Sequence, residues 1–378
     1  MVNRRLRALV GLGAATVFLG FLAASPVHAE DAITTQPYVE ILNLNNREDI
    51  GLTGKGVTVA VIDGMVDTSA PELEGADITV VTPCPFTPSD ESRTHATAMA
   101  SLLASKNYGI APGVKIINYA LAIEDADIKE DPTCGLGLDK AAKMALDDGA
   151  DIISFSVIGE TRISSDVLLT RGDRNGAIFV GGMGNDSKED DERSFASANL
   201  TVGVAATDFS GTIADYSNYG KGTTVAAMGG PIKLRSYSTN TIEESSGTSA
   251  ATAIVSGYLA LAKEQWPNAT NRQLIQSLVK TAVRDDGVEW DPRYGYGLAN
   301  LGGLITQDPT TLPDENPLMN KNPEWAPKED FYNDYVAGVL EPPSLDPDYI
   351  YRGTNTTIVK NNPANTFYGT SPRYHADR

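Results

Sequence analysis

Along the chain, short apolar runs rich in β-branched residues alternate with segments whose apolar positions recur at helical spacing. Val57-Thr58-Val59-Ala60-Val61-Ile62 is the first such run, with Gly54 and Gly56 before it and Gly64 after it. It reads as a strand buried on both faces. Val114 to Ala120, Asp151 to Val157, Ala177 to Gly182, Leu200 to Ala206 and Thr223 to Met228 repeat the pattern. Thr94 to Ser105 is apolar on nearly every side and predicts a buried helix, Asp139 to Asp148 is amphipathic and stops at Gly149, and Ser164 to Arg174 fits a surface helix. Thr248 to Trp266 predicts a long helix opening on small residues, and Thr270-Asn271-Arg272-Gln273 has capping-box form for a helix to about Val283. Strands alternating with crossover helices predict an α/β fold of three layers, a mainly parallel central sheet flanked by helices. Ligands of such sheets sit beyond the carboxyl ends of the strands. The places to search are therefore just after Ile62, Val157 and Gly182.

The two ends of the chain break the pattern. Arg4, Arg5 and Arg7 precede an apolar stretch from Ala8 to Ala24, and small residues follow at Val27 and Ala29. That order predicts a secretory signal over residues 1–29, cleaved near Ala29. The apolar stretch is shorter than the ~20 residues of a spanning helix. No second long apolar run follows, so the expectation is a secreted chain with no membrane span after cleavage. The folded domain is expected over residues 30–305. From 306 to 378 the periodicity fades and prolines accumulate at 309, 313, 317, 323 and 327 and again at 342, 343, 347, 363 and 372. This predicts an extension that wraps the domain or reaches a partner.

A formal net charge of −19 with no basic cluster after Arg7 excludes a nucleic-acid footprint. Two cysteines are present, Cys84 and Cys134. In an exported chain such a lone pair reads as a disulfide, with two free thiols as the alternative. Closing a loop of that length would stabilise by roughly 3–4 kcal/mol. Neither cysteine has metal-ligand spacing, no loop assigns calcium ligands, and no cofactor motif appears.

Histidine is scarce, with His28 in the leader, His375 at the far end and His95 alone in the body. A histidine base must therefore be His95. Asp63 ends the first strand, where a carboxylate at the sheet rim is either solvated or paired with an imidazole; Asp67, four residues on, is its rival. Ser249, in Ser246-Gly247-Thr248-Ser249-Ala250-Ala251, opens the long helix. A nucleophile there gains from the positive helix end, and its own N–H can donate to an oxyanion. Asn185 follows the strand ending at Gly182, and its amide can donate at the same rim. No serine lies in G-x-S-x-G, and the order Asp, His, Ser is neither that of α/β-hydrolases nor that of chymotrypsin-like enzymes.

These segments together resemble the subtilisin-like serine peptidases, the subtilases, from about Gln36 to Ile305. Gly54 to Asp63 resembles the aspartate segment, Ile110-Ala111-Pro112-Gly113-Val114 a G-V-A-P motif, Gly184-Asn185 the oxyanion segment, Gly247-Thr248-Ser249 the G-T-S motif and Tyr294-Gly295-Tyr296-Gly297 a late motif. The resemblance implies a subtilisin-like fold and a secreted serine endopeptidase acting on peptides or proteins. Asp63, His95 and Ser249 would be catalytic, with Asn185 at the oxyanion. Ser154, Phe155, Ser156, Gly182 and Gly184 would contact substrate. It also implies that activity falls below roughly pH 6–7 as the histidine protonates. Relatives carry structural calcium.

The flanks depart from the family. Gly64 and Met65 replace Ser or Thr and then Gly, Ala96 replaces Gly, and Ala250-Ala251-Thr252-Ala253 lacks the usual proline. Those departures keep open a catalytically weak or inactive scaffold on the same fold. A serine esterase or amidase of another fold is opposed by the residue order. The short stretch between Ala29 and the domain is similar to that of the mycosins, and it leans the reading towards dedicated processing.

Overall fold

The computed structural model describes residues 32–44, 51–83, 86–122, 137–157, 165–189, 194–284 and 287–375. Seven strands form one all-parallel sheet: β1 Thr58–Asp63, β2 Asp77–Val81, β3 Lys115–Ala120, β4 Ile152–Phe155, β5 Ile178–Gly182, β6 Thr201–Thr207 and β7 Thr223–Met228. Their order is β2-β3-β1-β4-β5-β6-β7. The chain leaves β1 on one side to build β2 and β3, then returns past β1 to build β4 on the other. That reversal places the topological switch point at the β1–β4 crevice, where α/β sheets bind ligands.

Apart from the edge strand β2, the strands are buried and largely apolar because both faces are covered. Val59 and Val61 face a core shared with Leu102, Leu103, Ile254 and Tyr258, whereas Ala60 and Ile62 face a second core shared with Ala141, Ala145, Leu168 and Leu169. The first core lies under α1 (Asp90–Ala104), α4 (Thr248–Gln265) and α5 (Asn271–Thr281). The second lies under α2 (Leu138–Asp147) and α3 (Ser165–Asn175). This is the expected three-layer architecture. The capping box of α5 forms as its sequence predicts, Thr270 bonding the Gln273 N–H and the Gln273 side chain bonding back.

Two features differ from the sequence reading. Helix α1 starts at Asp90, four residues before the apolar face begins, because Ser89 accepts the Ser92 N–H and so caps a polar first turn. Strand β2 and an antiparallel hairpin, β8 (Ile232–Ser236) with β9 (Thr241–Ser245), were not foreseen. Their polar and charged positions carry no buried-strand signal. The proline-rich extension, expected to wrap the domain or reach a partner, lies on the domain, and residues 32–378 pack as one compact unit. After α6 (Leu301–Thr306) it carries α7 (Glu329–Ala337) and α8 (Thr356–Asn361). Its tyrosines, unperiodic in sequence, build a satellite core in which Tyr335, Tyr349 and Tyr351 pack with Phe331, Leu340 and Ile358. Buried Asp173 of α3 anchors it, accepting from the Tyr332 hydroxyl at 2.7 Å, the Asn316 amide at 2.8 Å and the Arg272 guanidinium at 2.8 Å.

Asp166, in the first turn of α3, is half-buried, and that burial pushes its carboxyl up to about 6 against the opposing pull of Lys328. The folded chain then binds a proton there more tightly than the unfolded chain, so stability falls as pH rises from about 4 through about 6. Asp166→Asn is expected to raise Tm by about 2–4 °C at pH 8 and to leave it unchanged near pH 4. The shift is kept small because solvent screens a half-exposed carboxylate. Calorimetry at the two pH values measures it. No described helix is long and apolar enough to cross a membrane.

Candidate active site

Asp63 is the last residue of β1, and Ile62 pairs with Phe155 of β4. Asp63 and Ser156 therefore end adjacent strands at the switch point, about 5 Å apart by the spacing of neighbouring strands. Two side chains arrive from the helices above. His95, in the second turn of α1, puts Nδ1 2.8 Å from Asp63 Oδ1. Ser249, in the first turn of α4, donates its hydroxyl to the Ser156 carbonyl at 2.8 Å. Helices α1 and α4 pack on one another, which holds imidazole and hydroxyl over neighbouring strand ends.

Asp63 is fully buried, whereas the His95 side chain is 34 % exposed. Asp63 Oδ1 also accepts the Gly64 N–H at 2.6 Å. An ionised carboxylate only accepts, so the His95 proton resides on Nδ1 and the basic lone pair on Nε2. The rival acid is tied up elsewhere: Asp67 Oδ1 takes the N–H and hydroxyl of Ser69. Partial burial raises its carboxyl, but the Ser69 bonds outweigh this and hold it below the usual range.

The turn after Asp63 is shaped by two residues without an assigned role in the sequence reading. Asn118, buried on β3, donates to the carbonyls of Val61 and Gly64 and accepts from the Val66 N–H. An asparagine inside an otherwise apolar strand was the available signal. Ser92 of α1 explains the missing hydroxyl residue after the aspartate. A Cβ at Gly64 would stand 2.2 Å from Ser92 Oγ and 2.7 Å from its carbonyl oxygen, so only glycine fits beneath α1.

Asn185 follows β5 on a turn where Gly184 has φ +107°, the region that favours glycine. Asn185 Oδ1 accepts the Thr248 N–H at 2.8 Å, and Gly184 N donates to Thr248 Oγ1 at 3.1 Å. Thr248 thus stitches the asparagine turn to the first turn of α4, a role that the sequence reading left unassigned although the residue lies inside the G-T-S motif. With Oδ1 engaged, Nδ2 is the end of the amide left for a ligand. The first N–H groups of a helix have no intrahelical acceptor, and Ser249 is the second residue of α4.

The five residues expected to contact substrate occupy different settings. Ser154 is buried, with its Oγ accepting from Ser256 of α4 at 3.0 Å. Phe155 is buried and stacks on Phe195 at 4.3 Å between centroids, on the sheet face away from α4. Both leave only backbone for a ligand. Ser156 stands at the crevice and offers its carbonyl. Gly182 lets the end of β5 approach α4, since a Cβ there would lie 3.0 Å from Thr248 Oγ1. Gly184 forms the turn already described. Cys84 and Cys134 lie outside the described residues, as does the segment 1–31.

The subtilase family model matches residues 54–297, which holds every residue above. A thermostable alkaline protease of Halalkalibacterium halodurans is 28% identical over 278 residues, covering 70% of this chain and 72% of that one. Fervidolysin of Fervidobacterium pennivorans is 27% identical over 319 residues, which span 72% of this chain but 45% of the relative. The crystal structure of fervidolysin, described as a keratinolytic enzyme related to subtilisin, superposes with a TM-score of 0.59 at 25% identity over 70% of this chain and 44% of that one. The structure of the prenylagaramide maturation protease PagA superposes with a TM-score of 0.55 at 26% identity, over 66% of this chain and 92% of that one. The chain belongs to the subtilase family and is a subtilisin-like serine endopeptidase, a hydrolase of peptide or protein substrates.

Proposed function

We propose that Asp63, His95 and Ser249 are the catalytic triad of this peptidase, with Asn185 and the Ser249 N–H as its oxyanion donors. The observation that carries the proposal is the 2.8 Å contact of His95 Nδ1 with the buried Asp63 carboxylate, beside the strand end that receives Ser249. Ser249 attacks the scissile carbonyl while His95 Nε2 takes its proton, and Asp63 stabilises the imidazolium that results. The Ser249 hydroxyl rests on the Ser156 carbonyl, so attack begins with rotation about χ1 to an adjoining staggered well. The carbonyl oxygen of the substrate becomes an oxyanion between Asn185 Nδ2 and the first turn of α4. His95 then protonates the leaving amine, and water repeats the sequence on the acyl-enzyme.

Preorganised donors of this kind act only as charge develops. Removing the amide by Asn185→Ala is expected to lower kcat by about 10²–10³-fold with little change in KM, the magnitude known for the oxyanion asparagine of subtilisin. Steady-state kinetics on a peptide amide measure it. The proposal as a whole is tested with a fluorescent fluorophosphonate probe. Labelling of the wild-type chain that is lost in both Ser249→Ala and His95→Ala supports the assignment, and a folded wild type that stays unlabelled overturns it. Export is part of the same proposal, supported by the Arg4-to-Ala29 pattern. Finding the chain in the cytoplasm with residues 1–29 attached would contradict it.

A further inference from the structure

The fully buried Asp63 carboxylate has one oxygen engaged and one orphaned. Oδ1 accepts from the Gly64 N–H and from His95 Nδ1, whereas Oδ2 has no hydrogen-bond partner among the described residues. The Ser92 hydroxyl is fully buried as well, and it too has no partner there. Buried polar groups are almost always paired. An ionised carboxylate can only accept, and a hydroxyl can donate, so the two orphans are complementary.

They are also neighbours. A Cβ on Gly64 would stand 2.2 Å from Ser92 Oγ, so the hydroxyl lies against the residue whose N–H already binds Asp63. Ser92 is three residues before His95 on α1, and residues so spaced share a helix face. The face that sets the imidazole on Oδ1 therefore also sets the hydroxyl on the turn that follows Asp63. The Ser156 hydroxyl, at the adjoining strand end, is buried without a partner too and is the rival donor. Ser92 is favoured because it rides on the helix that carries His95.

We propose that Ser92 is a positioning residue of this peptidase: its hydroxyl turns about χ1 to donate to Asp63 Oδ2, and together with the Gly64 N–H it fixes the carboxylate against His95. The proposal rests on the triad assigned above. A carboxylate held at both oxygens keeps one rotamer and presents Oδ1 to the imidazole throughout the reaction. Helix α1 then delivers both the base and the group that orients its acid. Gly64 is the counterpart on the strand side, leaving the space that the hydroxyl occupies.

The full chain is compared with Ser92→Ala, Ser92→Cys, Ser92→Thr and Ser156→Ala, each shown to be folded by circular dichroism. Two readouts are taken: kcat and KM on a peptide amide, and the low-field proton resonance of His95 Nδ1–H, which needs no turnover. Ser92→Ala is expected to lower kcat by about 10-fold with KM within about twofold, as for the loss of one charge-assisted hydrogen bond, and to move the resonance. Ser92→Cys fills the same space with a weak donor and is expected to match Ser92→Ala. Ser92→Thr keeps the hydroxyl and is expected to stay within about threefold of wild type with the resonance in place. If its added methyl prevents folding, the alanine and cysteine variants decide by themselves. A kcat within about twofold of wild type in Ser92→Ala overturns the proposal. So does a cysteine variant equal to wild type, which would make the position one of packing. A loss carried by KM, an unmoved resonance, or effects seen in Ser156→Ala and absent from Ser92→Ala overturn it as well. A wild type without turnover whose resonance still moves in Ser92→Ala upholds the pairing and overturns the triad assignment instead.

Discussion

Ser249→Ala and His95→Ala are each expected to lower kcat by about 10⁶-fold, and the double variant should lose little more than either alone. The magnitude is that found when the nucleophile or the base is removed from subtilisin. The reason for non-additivity is chemical. In the proposed triad the hydroxyl is a weak nucleophile until His95 takes its proton, and the imidazole does nothing once the hydroxyl is gone. What survives, about 10³–10⁴ over water, comes from the oxyanion donors and from binding. Folding should be spared. Ser249 gives up one hydrogen bond, to a carbonyl at the crevice, and His95 is already 34 % exposed. The check is kcat on a peptide amide, with circular dichroism to show that each variant is folded. Losses below about tenfold would move the nucleophile away from Ser249.

Asp63→Asn is expected to lower kcat by about 10⁴-fold at pH 8 while leaving KM nearly unchanged. In the proposed triad the carboxylate has two tasks. It accepts the Nδ1 proton, which leaves the lone pair on Nε2, and its charge stabilises the imidazolium. An asparagine loses the second task outright. For the first, its oxygen can keep the bonds from Gly64 N–H and His95 Nδ1 only by turning its NH₂ into the place of Oδ2. That atom is buried and makes no hydrogen bond among the described residues. The opposite rotamer presents NH₂ to Nδ1, moving the ring proton to Nε2, where no base remains. Asp67→Asn is the control, because that carboxyl is engaged by Ser69 and should leave kcat within about twofold. Equal losses at both positions would remove Asp63 from its assigned role.

The parallel sheet was legible because strands buried on both faces have few polar positions, and β1 and β3 to β7 each read as a near-continuous apolar run. The four catalytic candidates were legible for another reason. His95 was the only histidine in the body, and Asp63, Ser249 and Asn185 all lay at strand ends or helix starts. What stayed hidden was held by contacts without a local signal. Helix α1 begins earlier than its apolar face because a serine cap, rather than hydrophobic spacing, starts it. The hairpin β8–β9 pairs polar strands. Phe155 looked like a cleft residue from its motif, yet its ring faces Phe179 and Phe195 because side chains alternate along a strand. The extension's tyrosines carry no period, since the layer they build is not a helix face.

By itself the sequence determined the kind of fold and the inventory of reactive groups. Periodicity is a local property of the chain, and a lone histidine leaves no choice of base. The tertiary structure decided which acid meets His95, since Asp63 and Asp67 are four residues apart but only the first lies at the switch point. It decided why Gly64 stands where a hydroxyl residue is usual, since Ser92 of α1 already fills that space. It also decided that the extension lies on the domain, with Lys321 donating to the main-chain carbonyls of Ala196, Thr201 and Gly222. Each of these depends on distances between residues far apart in the chain, which close packing sets and local pattern does not encode.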